Sequence, residues 1–197
     1  MAESATSSDG YNSGVSSTTN VPETLLRLNK CSIRRHHPSD AEALAKEANN
    51  PNVAKGMSDH WPQPYRVKDA HDWMSSTSSG SPPYGFVICR PEDNVPIGSM
   101  GIEEREKGDG SALLMGYCLG EPYWGRGIAT EFISAITQWC FENFEGMQRM
   151  EADAYAWNGA SCRALEKAGF TYQGRKENAA RKDGEDIDFL LYYKERS

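Results

Sequence analysis

Hydrophobic residues are scarce in this 197-residue chain, at 38%, and no apolar run approaches the roughly 20 residues of a membrane span. No membrane-spanning helix is therefore expected. The deficit is concentrated at the start. Residues 1–20, MAESATSSDGYNSGVSSTTN, are rich in Ser and Thr and contain no Ile, Leu or Phe. Such a segment cannot bury enough apolar surface to offset chain entropy, so residues 1–22 read as a disordered tail. The segment also lacks the Arg-rich pattern of a mitochondrial presequence and the apolar stretch of a secretory signal. A soluble, cytoplasmic protein is expected, with one folded domain over 23–197.

Metal-ligand spacings are missing too. The five cysteines (Cys31, Cys89, Cys118, Cys140 and Cys162) are odd in number and form no CxxC, so they read as buried free thiols. The four histidines give no HExxH. His36 and His37 are adjacent and would face opposite sides of a strand, which is poor geometry for one ion. No metal is expected. Positive charge is the minority, with 21 Lys and Arg against 28 Asp and Glu, for a net charge of −7. That balance argues against nucleic acid as the main partner and mildly favours a cationic substrate such as an amine. Either a monomer or a homodimer fits these features.

Ordered structure should begin near Glu23. LLRLNKCSIRRH reads as one strand or two short ones. HPSDAEALAKEANNP reads as a helix capped by Ser39 or Asp40 and ended by Asn50-Pro51. NVAKGMSDHWPQPY, with two prolines, reads as a loop, VKDAHDWM as a short helix, and SSTSSGSPP as a connector. YGFVICR, VPIGSMGIEE and SALLMGYCL read as successive strands, the last two joined by a KGDG turn. Apolar residues at 128, 129, 132, 133, 136, 139, 140 and 144 make GIATEFISAITQWCFENF an amphipathic helix. RMEADAY is a strand, and SCRALEKA a helix stopped by Gly169 with Phe170 making the apolar contact beyond it. GFTYQGRK and EDIDFLLYYK finish as a hairpin. The order β-α-α-β-β-β-α-β-α-β-β implies a mixed α/β sheet with helices on its faces.

Two segments carry chemistry. In Gly120-Glu121-Pro122-Tyr123-Trp124-Gly125-Arg126-Gly127-Ile128-Ala129 a strand runs through a glycine-rich turn into a helix. Such a turn presents unpaired backbone N–H groups at the positive end of the helix dipole, a site for phosphate. It is neither a P-loop nor GxGxxG, and by itself it could equally be a packing turn. The second segment is Asn158-Gly159-Ala160-Ser161-Cys162-Arg163-Ala164-Leu165-Glu166-Lys167-Ala168-Gly169-Phe170. By itself, Asn158 reads as a helix cap with Ser161 in the first turn.

Together, WGRGIA and NGASCRALEKAGF resemble the GNAT superfamily of acetyltransferases. Gly127 and Ala129 fill the last two fixed positions of that superfamily's [QR]-x-x-G-x-[GA] pyrophosphate loop. Trp124 stands where the pattern prefers Gln or Arg, a departure shared with the branch resembling ribosomal-protein-alanine acetyltransferases. The resemblance spans about residues 25–195. It implies a mixed, mostly antiparallel sheet of about seven strands with about four helices, splayed at its central parallel strands. It also implies acetyl-CoA as donor, an amine acceptor and CoA as product.

By the same resemblance, backbone N–H groups of Trp124, Gly125, Arg126, Gly127, Ile128 and Ala129 hold the CoA pyrophosphate. Backbone around Tyr117, Cys118 and Leu119 pairs with the pantetheine and polarises the acetyl carbonyl. Asn158 bonds the pantetheine arm, and Arg163, with Lys167, lies near the CoA phosphates. Transfer is direct, so the amine must lose a proton to a base and the thiolate must gain one. Glu103 on the central strand is the first choice for the base, with Asp153 and Glu121 behind it. Many members place a Tyr donor where this chain has Leu165, so Ser161 is the candidate acid, with Tyr155 or no dedicated acid as alternatives. A Cys118 acyl-enzyme is disfavoured, because nothing nearby in sequence supplies a base. The segment Gly56–Arg66, with Trp61 and Tyr65, is expected on the acceptor side, although its aromatics could equally be core. A non-catalytic acyl-CoA-binding module is the competing reading.

Overall fold

The computed structural model describes residues 22–78, 84–104 and 111–197. Nearly all of the expected tail and the expected KGDG turn lie outside the described residues. The elements are β1 (Thr24–Arg27), β2 (Ser32–Arg35), α1 (Ala41–Ala48), α2 (Pro51–Lys55), α3 (Val67–Thr77), β3 (Gly85–Cys89), β4 (Pro96–Glu104), β5 (Ala112–Leu119), α4 (Ile128–Asn143), β6 (Arg149–Tyr155), α5 (Gly159–Lys167), β7 (Thr171–Lys182) and β8 (Glu185–Glu195). The strands form one sheet in the order β1-β2-β3-β4-β5-β6-β8-β7. Its pairings are antiparallel except between β5 and β6.

Strand alternation divides the core between the two faces. Phe86, Ile88, Met100, Ile102, Met115 and Met150 pack with α4 and α5, whereas Val87 and Cys89 pack with α1 and α3. The apolar stripe of α4 is seated as its spacing requires, with Phe132, Ile133, Ile136 and Cys140 fully buried. Thr137 lies in the same stripe, and its hydroxyl donates to the Ile133 carbonyl at 2.7 Å. Gly169 ends α5 in the left-handed region at φ 88°, and the Phe170 N–H reaches back to the Leu165 carbonyl at 3.0 Å.

Of the two readings of LLRLNKCSIRRH, the pair of short strands forms, as β1 and β2. Four local readings need correction. Asn50-Pro51 does not merely end a helix: α1 stops at Ala48, and the Asn50 side chain accepts the Asn52 N–H at 2.8 Å to start α2. Pro51 suits that first turn, where its missing N–H has no helical partner to lose. Part of the expected loop is therefore helical. Third, α3 continues through Thr77 into the expected connector.

The fourth correction concerns the cap of α1. Ser39 and Asp40 do not cap it through their side chains. A 3-10 turn precedes it, in which the His37 ring accepts the Ser39 N–H and Asp40 accepts the His37 N–H. Asp40 is instead committed to Arg34 on β2 by two hydrogen bonds of 2.8 Å. Both side chains of this pair are buried, and the pair ties the α1 layer to the sheet.

The parallel pair positions the site. Parallel neighbours need a crossover, which α4 supplies. β5 and β6 pair only from Ala112–Leu114 to Arg149–Glu151. Beyond that, β5 continues to Leu119 and β6 to Tyr155 without pairing, so the sheet opens into a splay.

Candidate active site

The splay is the centre of a cleft of about 1280 Å³. Its upper rim is the turn after β5. Gly125 and Gly127 sit at φ 71° and 76°, a left-handed conformation that glycine adopts without Cβ strain. A Cβ on Gly125 would meet nothing within 4 Å, so the space above it is open. The backbone bond from Glu131 to the Gly127 carbonyl leaves the first-turn N–H groups of α4 without helical acceptors. The turn is thus a concave set of donors at a helix N-terminus that an anion fits.

Trp124 departs from its expected role. Its backbone N–H already donates to the Glu121 carbonyl at 3.1 Å. Its indole lines the cleft, held by a 2.7 Å bond from Nε1 to the Leu119 carbonyl. The donor set therefore begins at Gly125. Ile128 is buried under the turn, and Ala129 lines the cleft with it.

Lys30 was missed by sequence reasoning. The turn between β1 and β2 docks on α4, where Glu131 accepts the N–H groups of Asn29 and Lys30. Lys30 Nζ donates to the Arg126 carbonyl at 2.9 Å and would lie 2.6 Å from a Cβ on Gly127. A cation is thus held at the positive end of a helix from about a hundred residues away, and no local motif signals it. The Arg126 guanidinium lies over the Tyr123 ring. Arg163 and Lys167 line the cleft from α5.

At Tyr117, Cys118 and Leu119, β5 is paired with β4 on one side and has no strand paired with it on the side that faces the splay. Tyr117 turns toward α4, its ring edge-on to Phe132, and its hydroxyl meets the Ser161 hydroxyl at 2.7 Å. Burial pushes the Tyr117 phenol up to about 12. Ser161 is placed by Asn158, whose side-chain oxygen accepts the Ser161 N–H at 3.1 Å as the cap of α5. Leu165 is buried in the core, out of reach of chemistry.

Cys118 points to the other face and bonds Ser99 at 3.2 Å. Burial raises its thiol pKa, which keeps it protonated and a poor nucleophile.

The three carboxylates considered as the base separate into two groups. Glu103 and Asp153 line the cleft. Glu121 instead accepts from Asn50 and Asn52 at 2.8 and 2.7 Å, anchoring α2 beside β5. The Tyr155 hydroxyl donates to the Met57 carbonyl at 3.2 Å. Of the two aromatics in Gly56–Arg66, Trp61 lines the cleft and Tyr65 belongs to the core under α1 and α3.

A sheet opened at its parallel pair, with a glycine-rich anion turn starting the crossover helix, is the architecture of an acetyltransferase. The family model described as Acetyltransferase (GNAT) domain matches residues 31–171, and the chain belongs to that family. It is 24% identical over 168 residues to an uncharacterized N-acetyltransferase of Bacillus licheniformis, covering 85% of this chain and 93% of that one. The fold is shared with a ribosomal-protein alanine acetyltransferase of Vibrio fischeri, with a TM-score of 0.75 at 19% identity over 86% and 95% of the two chains. It is also shared with Mycobacterium smegmatis RimJ, solved with CoA-disulfide, at a TM-score of 0.73 and 22% identity over 84% and 81%.

Proposed function

We propose that this protein transfers the acetyl group of acetyl-CoA directly to a primary amine. The observation that carries the reading is the junction of two half-sites at one splay. An anion turn at Gly125–Ala129 and the hydroxyl pair Ser161–Tyr117 lie on the donor side, and Glu103 and Asp153 lie on the acceptor side. In this reading the N–H groups from Gly125 onward hold the pyrophosphate, with Lys30, Arg163 and Lys167 near the CoA phosphates. Backbone N–H groups on the β6-facing side of Tyr117–Leu119 hold the pantetheine and polarise the thioester carbonyl, the Leu119 carbonyl being taken by the Trp124 indole.

Glu103, through water or with Asp153, takes a proton from the ammonium. The amine nitrogen attacks the carbonyl carbon, and the C–S bond breaks as the tetrahedral intermediate collapses. The departing thiolate takes the Ser161 proton, Ser161 recovers one from Tyr117, and Tyr117 regains its own from water as the attacking nitrogen sheds its second proton to water to become the amide. The test is release of free CoA on mixing acetyl-CoA with a panel of amines. Acetyl-CoA binding with no CoA release for any amine would leave a binding module instead.

Two expected results arise from the hydroxyl pair. Ser161→Ala should lower kcat by about 100-fold or less, since thiolate leaves readily, while acetyl-CoA affinity stays within a few-fold. A wild-type kcat across pH 6–9 would remove Ser161 from the mechanism. The second concerns pH. A Tyr117 phenol raised to about 12 stays protonated at all lower pH, so the proton supply is not lost in the working range. The kcat profile should therefore rise as the base and the amine deprotonate, with no descending limb up to about pH 10. A descending limb near pH 8–9 would contradict this assignment.

A further inference from the structure

β4 and β5 set two glycines directly opposite one another in the middle of the sheet, Gly101 against Gly116. Glycine weakens a strand interior, and its presence there marks a place where something else approaches the backbone closely. Gly101 is partly covered, because a Cβ there would sit 3.9 Å from the Trp73 ring. Over Gly116 a Cβ would meet nothing within 4 Å. Both glycines line the cleft, on the face that also bears Ser99 and Cys118. The backbone here floors an open slot.

The walls of that slot are flat rings. Trp73 stands beside Gly101, Trp61 lines the cleft from the segment after α2, and Tyr155 lines it from β6, stacked on Phe189 at 5.1 Å and 6°. Carboxylates flank the floor. Glu103 lies two residues along β4 from Gly101, about 7 Å at strand rise. Asp153 lies two residues past Glu151, which pairs with Leu114, so it stands across the splay at the level of Gly116. Lys55 is drawn aside over the Trp157 ring.

The segment around α2 also straps this half of the cleft. One side is tied to Glu121, past the end of β5, by Asn50 and Asn52. The other is tied to the β6–β7 side, where the Tyr155 hydroxyl and Lys182 Nζ both donate to the Met57 carbonyl. An acceptor that continued as a polypeptide would have to carry its following residues past that strap.

We propose that the acceptor is a compact primary amine carried on a flat apolar ring. The ring lies on the Gly101–Gly116 floor between the tryptophans, and the ammonium points to Glu103 and Asp153. Bare backbone accepts a flat ring in close contact, aromatic walls reward burial of apolar area, and the carboxylates suit a cation. The inference rests on the acetyl-transfer reading, and its test is built to fail separately.

The probes are 2-phenylethylamine, spermidine and a short peptide with a free N-terminal alanine. Each is assayed for CoA release, and 2-phenylethylamine is also titrated calorimetrically into protein saturated with CoA, where no turnover occurs. The expected kcat/KM for 2-phenylethylamine exceeds both others by at least tenfold. Gly116→Val should lower that kcat/KM and the calorimetric affinity by tenfold or more, with acetyl-CoA affinity within twofold. Gly116→Ala should give a smaller loss in the same direction. Valine suits a strand and its Cβ has room here, so thermal unfolding should show both variants folded. Preference for the peptide or spermidine, or indifference of 2-phenylethylamine to Gly116→Val, overturns the proposal. Gly116-sensitive binding without turnover of any amine keeps the slot and removes the transfer reading. No binding and no turnover of 2-phenylethylamine removes the slot.

Discussion

Gly127→Glu should abolish binding of acetyl-CoA. Wild-type protein should gain melting temperature as acetyl-CoA is added, by mass action, and the variant should show no such gain. Three effects act together. The residue holds φ 76°, a conformation costly for a side chain. Its Cβ would collide with Lys30 Nζ at 2.6 Å, and its carboxylate would occupy the place proposed for the pyrophosphate. Charge-assisted hydrogen bonds are worth about 1.5–3 kcal/mol each, so losing two lowers affinity by a factor of roughly 100 or more. Gly127→Ala separates the causes: the lysine tip can move aside, so affinity should fall less. Unchanged acetyl-CoA binding in Gly127→Glu would displace the pyrophosphate from this turn.

Asp40→Ala should destabilise the fold by about 3–5 kcal/mol. It leaves the Arg34 guanidinium buried with neither of its carboxylate bonds, and an uncompensated buried charge is far costlier than an absent pair. It also removes the acceptor of the His37 N–H. The loss should appear as a lower denaturant midpoint at unchanged slope. Arg34→Met combined with Asp40→Leu should recover much of it, because replacing both partners leaves no charge unpaired. A change under 1 kcal/mol in Asp40→Ala would mean that water reaches the guanidinium.

Much of the architecture was legible in the residues. The α4 stripe, the RMEADAY strand, the α5 stop at Gly169-Phe170 and the final hairpin all form where local pattern put them. These are segments in which periodicity, turn chemistry and burial agree. The glycine turn was legible as a donor set because unpaired N–H groups at a helix start follow from the backbone alone. The failures cluster between β2 and α3. There a 3-10 turn and a five-residue helix start from local side-chain caps, and Asn50 and Asn52 of α2 are anchored to Glu121 far along the chain.

The sequence by itself determined the family, the element order and the glycine-rich turn that starts α4, because each depends on neighbours within a few residues. Only the tertiary structure decided which titratable and polar groups meet. It brought Lys30 to the helix terminus, Tyr117 to Ser161, and Glu103 and Asp153 to one cleft. It also withdrew Glu121 to a strap and Trp124's N–H to a turn. The facing glycines belong to the second kind as well. Each is an ordinary residue in its own strand, and only the β4–β5 register sets Gly101 beside Gly116 as one bare floor. Register is fixed by which face the core claims, and that is a property of the whole sheet.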